Sequence, residues 1–106
     1  MRVFLDDERP VPDGFGFSWR SFGEAIHWMS TYGCPTFISF DHDLGNEILP
    51  EFFRSGMDVV KWMVEKDIEM NGKFIPKEFD FAVHSANPTG ATNIASYLEQ
   101  YLANRK

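Results

Sequence analysis

Three times in this chain a short apolar run of β-type residues stops abruptly at a polar cluster. Arg2–Leu5 breaks at Asp6, Asp7 and Glu8; residues 36–40 break at Asp41, His42 and Asp43, ahead of Leu44 and Gly45; residues 79–83 break at His84 and Ser85. A run of this kind reads as a buried strand ending in a loop. Apolar residues at helical spacing fill the intervals. Pro10, Pro12, Gly14 and Gly16 mark an irregular loop, after which Ser18 is placed to cap a helix from about Trp19 that carries Phe22, Ala25, Ile26 and Met29 and ends at Gly33 and Pro35. Ser55 and Asp58 have capping-box spacing ahead of Val59, Val60, Met63, Val64 and Ile68, and Gly72 and Pro76 close that helix. Asn87 and Pro88 open a last helix lined by Ala91, Ile94, Ala95, Leu98 and Leu102.

Strands alternating with helices imply βαβ units and a mainly parallel sheet. The expectation is a small three-layer α/β domain, with about three strands flanked by helices, formed by residues 1–106 as a single unit. The chain has 106 residues, 43% of them hydrophobic, with 11 phenylalanines and 3 tryptophans, so one well-filled core is within reach. Parallel strands put their carboxyl ends at one edge, where open α/β sheets bind ligands. The three polar clusters therefore predict one site.

Net charge −6 argues against a broad grip on a nucleic-acid backbone, while leaving room for a nucleotide or a nucleic-acid end as a local ligand. The single Cys34 forms no internal disulfide, the opening residues lack a secretory pattern, and no apolar run reaches membrane-spanning length. These features predict a cytoplasmic location, and no membrane partner is expected.

Asp6, Asp7, Asp41 and Asp43 would bring four carboxylates together, a repulsion that a divalent cation relieves. Oxygen ligation suits Mg²⁺ or Mn²⁺, the expected cofactor; direct ligation by His42 or His84 would shift the preference towards Mn²⁺, Fe²⁺ or Zn²⁺. The same two histidines suit proton transfer near neutral pH. From His84 to Gly90 a strand end joins a helix N-terminus that favours an anion, which makes Asn87, Thr89 and Gly90 candidate phosphate contacts, with Arg9 as a fork-shaped clamp. Each feature has a bland counterpart: an Asp pair in a turn, a capping serine, a surface ion pair. His27, Cys34, Trp28 and Trp62 are assigned no chemistry, and the 44–56 loop, with Phe52, Phe53 and Arg54, is expected to pack on the core.

The motif Leu5, Asp6, Asp7, Glu8, Arg9, Pro10, the motif Asp41 to Gly45 and the motif His84 to Gly90 together resemble the cyclic-phosphate-processing receiver-like family, compact relatives of response-regulator receiver domains. The resemblance spans nearly the whole chain and implies a reduced flavodoxin-like, receiver-like fold. It implies that Asp6 and Asp7 match the metal-binding acid pair, that Asp41 or Asp43 stands where a phospho-accepting aspartate would, and that Ser85 matches the switch hydroxyl, here a candidate catalytic group. The chain departs from true receivers in lacking a lysine after a final strand and two of five strand–helix units. The activity so implied is metal-dependent processing, as by a phosphoesterase or hydrolase, of a cyclic phosphate such as a 2′,3′-cyclic nucleotide or RNA end. The alternative is a degenerate receiver that binds nucleotide phosphate without turnover and acts through a protein partner.

Overall fold

The computed structural model describes residues 1–42 and 55–105. In chain order the elements are β1 (Arg2–Leu5), β2 (Phe17–Trp19), α1 (Phe22–Tyr32), β3 (Phe37–Phe40), α2 (Gly56–Glu69), β4 (Asp80–Val83) and α3 (Pro88–Asn104). The four strands form one sheet in the order β2-β1-β3-β4, and every pair is parallel. Among the described residues this is the flavodoxin-like order without its last strand.

The sheet has one strand more than the three apolar runs suggested. The added strand, β2, lies in the stretch read as loop and helix start. Ser18, expected to cap a helix, is instead its central residue and pairs with Phe4. The cap is Ser21, whose hydroxyl accepts the Glu24 N–H at 3.1 Å. Three residues are too few for periodicity to reveal, and two prolines and two glycines precede them. The crossover from β1 to β2 holds no helix; it sends Phe15 across the sheet to meet Phe4 and Phe37 edge-on. Arg2 lies over the Phe15 and Phe37 rings at 4.9 and 4.1 Å and closes that layer at the other end of the strands.

The other two helix starts follow the expected chemistry. Ser55 and Asp58 form the capping box of α2, and Asn87 Oδ1 accepts the Gly90 N–H at 2.9 Å with Pro88 in the first helical position of α3. The core joins Val3, Leu5, Trp19, Ile38 and Phe40 of the sheet to Ala25, Met29, Val60, Met63, Ile94 and Leu98 of the helices. The helices pack in sequence, α1 on α2 and α2 on α3. Among the described residues no helix is long and apolar enough to cross a membrane.

One charge is built into the interior of this packing. Asp67 of α2 is fully buried. Its Oδ1 accepts the Phe74 and Ile75 N–H groups at 2.9 and 2.8 Å; its Oδ2 accepts the Tyr101 hydroxyl at 2.6 Å and Arg105 Nη1 at 3.2 Å. Arg105 also donates to the Ile75 carbonyl at 2.6 Å. The network ties the end of α2, the turn before β4 and the end of α3 into one unit. Burial pushes the Asp67 carboxyl up, yet the Tyr101, Ile75 and Arg105 donors outweigh it and hold the group below the ordinary carboxylate range. Burial and the same carboxylate push the Tyr101 hydroxyl up to about 12. Cys34 shares this neighbourhood; burial pushes its thiol up to about 12, which makes it an inert filler.

Asp67→Ala is expected to cost about 3 kcal/mol at neutral pH by urea unfolding, because it strands Arg105, Tyr101 and two buried N–H groups. Since the native carboxyl is held low, its contribution is complete above about pH 4 and is lost as pH falls through the lowered native value. Wild type and variant should therefore converge in acid; a difference that persists unchanged at pH 2 would refute this account.

Candidate functional site

The strand register assembles the site. Trp19, Leu5, Phe40 and Val83 are partners across the four strands, so the next residues, Arg20, Asp6, Asp41 and His84, form a row at the carboxyl edge. Three backbone bonds extend the ladder into that row: Asp6 N–H to Trp19 O at 3.1 Å, Asp41 N–H to Leu5 O at 3.0 Å and His84 N–H to Phe40 O at 2.9 Å. One ligand atom each from Asp6, Asp41 and His84 lies within 4.8 Å of the other two. Asp6 is 1% exposed and Asp41 8% exposed, so the two carboxylates face each other away from water.

Asp6 is the most heavily bonded member. Its Oδ1 accepts the Glu8 and Arg9 N–H groups, both at 2.8 Å, which folds the chain after β1 into a tight turn around the carboxylate. Its Oδ2 accepts Arg9 Nη1 at 3.2 Å and meets His84 Nε2 at 3.0 Å. Burial pushes the Asp6 carboxyl up, but the Arg9 and Glu8 N–H groups and His84 outweigh it, and the group stays ionised below the ordinary range.

His84 is fixed on three sides. Nε2 meets Asp6, Nδ1 meets the Ser39 hydroxyl at 2.7 Å, and the ring stacks on Phe4 with centroids 4.3 Å apart and planes 9° from parallel. The order of residues explains this. Side chains two apart on a strand share a face, so Phe4 stands under Asp6, Ser39 under Asp41 and Ala82 under His84. Ser39 was not among the sequence-derived candidates, although a lone serine inside the run Phe37, Ile38, Ser39, Phe40 was its signal. Arg20 was missed with its strand; its Nη1 donates to the Asp6 carbonyl at 3.3 Å and the Arg9 carbonyl at 2.7 Å, bracing the turn from β2.

The other candidates fall around this group. Asp7 is half-buried and, among the described residues, lies outside the three-residue cluster. Asp43 and most of the 44–56 loop lie outside the described residues. Arg9 is 47% exposed and also donates Nη1 to the His84 carbonyl at 3.1 Å. His42 follows Asp41 and packs its ring against Gly90 in the first turn of α3. Of the α3 start, the Ser85 hydroxyl accepts the Asn87 N–H at 3.1 Å, the Asn87 side chain caps Gly90, and Thr89 is exposed beside a shallow hollow shared with Pro88, Thr92 and Asn93. A separate groove of about 500 Å³ along β4 and α3, lined by Phe81, Val83, Ala91 and Ala95 among others, does not include the acid cluster.

Two buried carboxylates and one imidazole fit a divalent cation. A mixed oxygen and nitrogen set suits Mn²⁺, Fe²⁺ or Zn²⁺ better than an all-oxygen Mg²⁺ site. The Ser39 hydroxyl is the kind of outer partner that orients a ligating histidine. Ligation through Nε2 requires that nitrogen to be unprotonated, with Nδ1–H donating to Ser39.

A family model described as the cyclic-phosphate processing receiver domain matches residues 1–100. No curated protein and no solved structure matches the chain.

Asp6→Ala removes the acceptor of four donors inside the sheet edge and is expected to lower stability by about 3 kcal/mol at neutral pH in metal-free buffer. Chemical denaturation measures it, and a loss below about 1 kcal/mol would show that the turn and His84 do not depend on this carboxylate.

Proposed function

The chain belongs to the cyclic-phosphate processing receiver domain family, and from that premise we propose that it opens a cyclic phosphodiester, such as a 2′,3′-cyclic nucleotide or RNA end, with a divalent cation bound at Asp6, Asp41 and His84. The observation that carries this reading is the convergence of those three side chains at the carboxyl edge of the sheet. Asp7 and Asp43 stand beside them in sequence as further candidate ligands. When bound, the cation would act as a Lewis acid towards a phosphoryl oxygen.

In the balanced reaction a water oxygen forms a bond to phosphorus, one P–O ester bond of the ring breaks, and the freed oxygen takes a proton, giving a monoester. His42 suits the proton movement. His84, held in one orientation by Asp6, Ser39 and Phe4, is assigned to the metal in this reading, with Nδ1–H turned to Ser39 and Nε2 left to the cation. Arg9, with nearly half its side chain at solvent, is assigned to phosphate charge in this reading. Ser85 braces the chain after His84 by accepting the Asn87 N–H.

A second reading has its own supporting observation: the four donors already on Asp6 make a closed network of the sort a non-catalytic phosphate-binding module would keep. Turnover separates the two.

Mn²⁺ at about a hundredfold over its Kd is expected to raise Tm by roughly 10 °C. His84→Ala should abolish most of that shift. Thermal melts on chelator-stripped protein test it, and an identical shift in the variant would remove His84 from the metal site. With 2′,3′-cyclic nucleotides as substrate, His42→Ala should lower kcat about a hundredfold while leaving the Mn²⁺-dependent melting shift in place. Absence of turnover by the metal-loaded wild type would favour the binding module.

A further inference from the structure

We propose that Gly90 is a positioning residue: its missing side chain is the seat in which the His42 imidazole rests, and that seat, not a contact with phosphate, is why glycine stands there. Its catalytic consequence rests on the reading of His42 as the proton carrier.

Nothing in the backbone asks for glycine at this position. Gly90 lies in the first turn of α3, and among the described residues the glycines with positive φ are Gly14, Gly33 and Gly72. In a helix, alanine is the better residue on both backbone entropy and propensity. The reason for glycine is space. A Cβ placed on Gly90 would run into the His42 ring, meeting Cγ and lying 2.7 Å from Cδ2 and 2.8 Å from Nδ1. All three atoms belong to one imidazole, so the added methyl displaces the ring.

The ring cannot answer by moving its backbone. On the other side, Gly56 opens α2 by donating its N–H to the His42 carbonyl at 2.7 Å. A Cβ on Gly56 would strike the Asp41 carbonyl oxygen and lie 3.2 Å from His42 Cα. The chain leaving β3 is thus held between the first turns of two helices, each meeting it with a glycine. One fixes the His42 backbone and the other receives its ring. The Gly90 N–H is taken up by the Asn87 cap, which leaves the glycine with no donor to offer a phosphate.

The test uses the full chain and its three histidines, His27, His42 and His84. Ring resonances of all three are followed by NMR in wild type, Gly90→Ala and a control, Gly23→Ala. Gly23 also sits in a helix first turn, but its Cβ would approach only Ser21 Oγ, at 3.8 Å. Gly23→Ala is expected to raise Tm by roughly 4 °C and leave the His42 and His84 resonances unchanged. Gly90→Ala should lower Tm, shift the His42 resonances and leave those of His27 in place. In a His42→Ala background, where the ring is gone, Gly90→Ala should reverse sign and raise Tm as the control does. Against a 2′,3′-cyclic nucleotide, Gly90→Ala should lower kcat about tenfold with KM little changed. Unshifted His42 resonances, or the same Tm change with and without His42, would overturn the seat. If the wild type turns over no cyclic nucleotide, the hydrolytic reading fails, and the resonances and the Tm coupling decide the seat by themselves.

Discussion

In-register parallel pairing is the constraint on which the site depends. Leu5, Phe40 and Val83 are partners across β1, β3 and β4, so the residue after each strand must fall in one row. Neighbouring strands lie about 4.8 Å apart, which is within side-chain reach for Asp, His and Arg. A one-residue slip of β3 would turn Asp41 to the other face and bury a carboxylate in the core that holds Ile38 and Phe40. The cost of that burial locks the register, and the register brings Asp6, Asp41 and His84 together.

The row carries opposed demands. Two buried carboxylates repel, and each is costly to keep from water. Asp6 meets the cost with two backbone N–H groups, a guanidinium and an imidazole, all aimed at one carboxylate by the turn that follows β1. The result is a rigid group of side chains, with His84 stacked on Phe4 and bonded to Ser39. Rigidity of this kind is what a metal or phosphate site needs, because little ordering remains to be done on binding.

At a distance from that edge, Asp67 solves the same problem by different means. It too is a buried carboxylate with two backbone donors and an arginine, yet Tyr101 takes the place that His84 has at Asp6. Burial and the Asp67 carboxylate hold the Tyr101 hydroxyl protonated. It binds helix ends to a loop and serves the fold. The contrast shows why a buried acid with donors is by itself no sign of chemistry.

The strands β1, β3 and β4, the three helices and the edge that carries Asp6, Asp41 and His84 were legible in the sequence. Each follows from a local rule: an apolar run cut off by charge, a helical stripe, a capping residue. The motif resemblance pointed to the family that residues 1–100 match. What local rules could not supply was β2, because three residues after a proline- and glycine-rich stretch become a strand only by pairing with β1. Arg20 was missed for that reason, and Ser39 because its partner, His84, is 45 residues away. A helix start gives no hint that His42, 48 positions removed in sequence, lies against Gly90; only the folded chain brings the two together. Sequence determines which residues end a strand or start a helix, since those choices depend on near neighbours. Tertiary structure decides which of them meet, since register and helix packing bring together side chains that no local pattern relates.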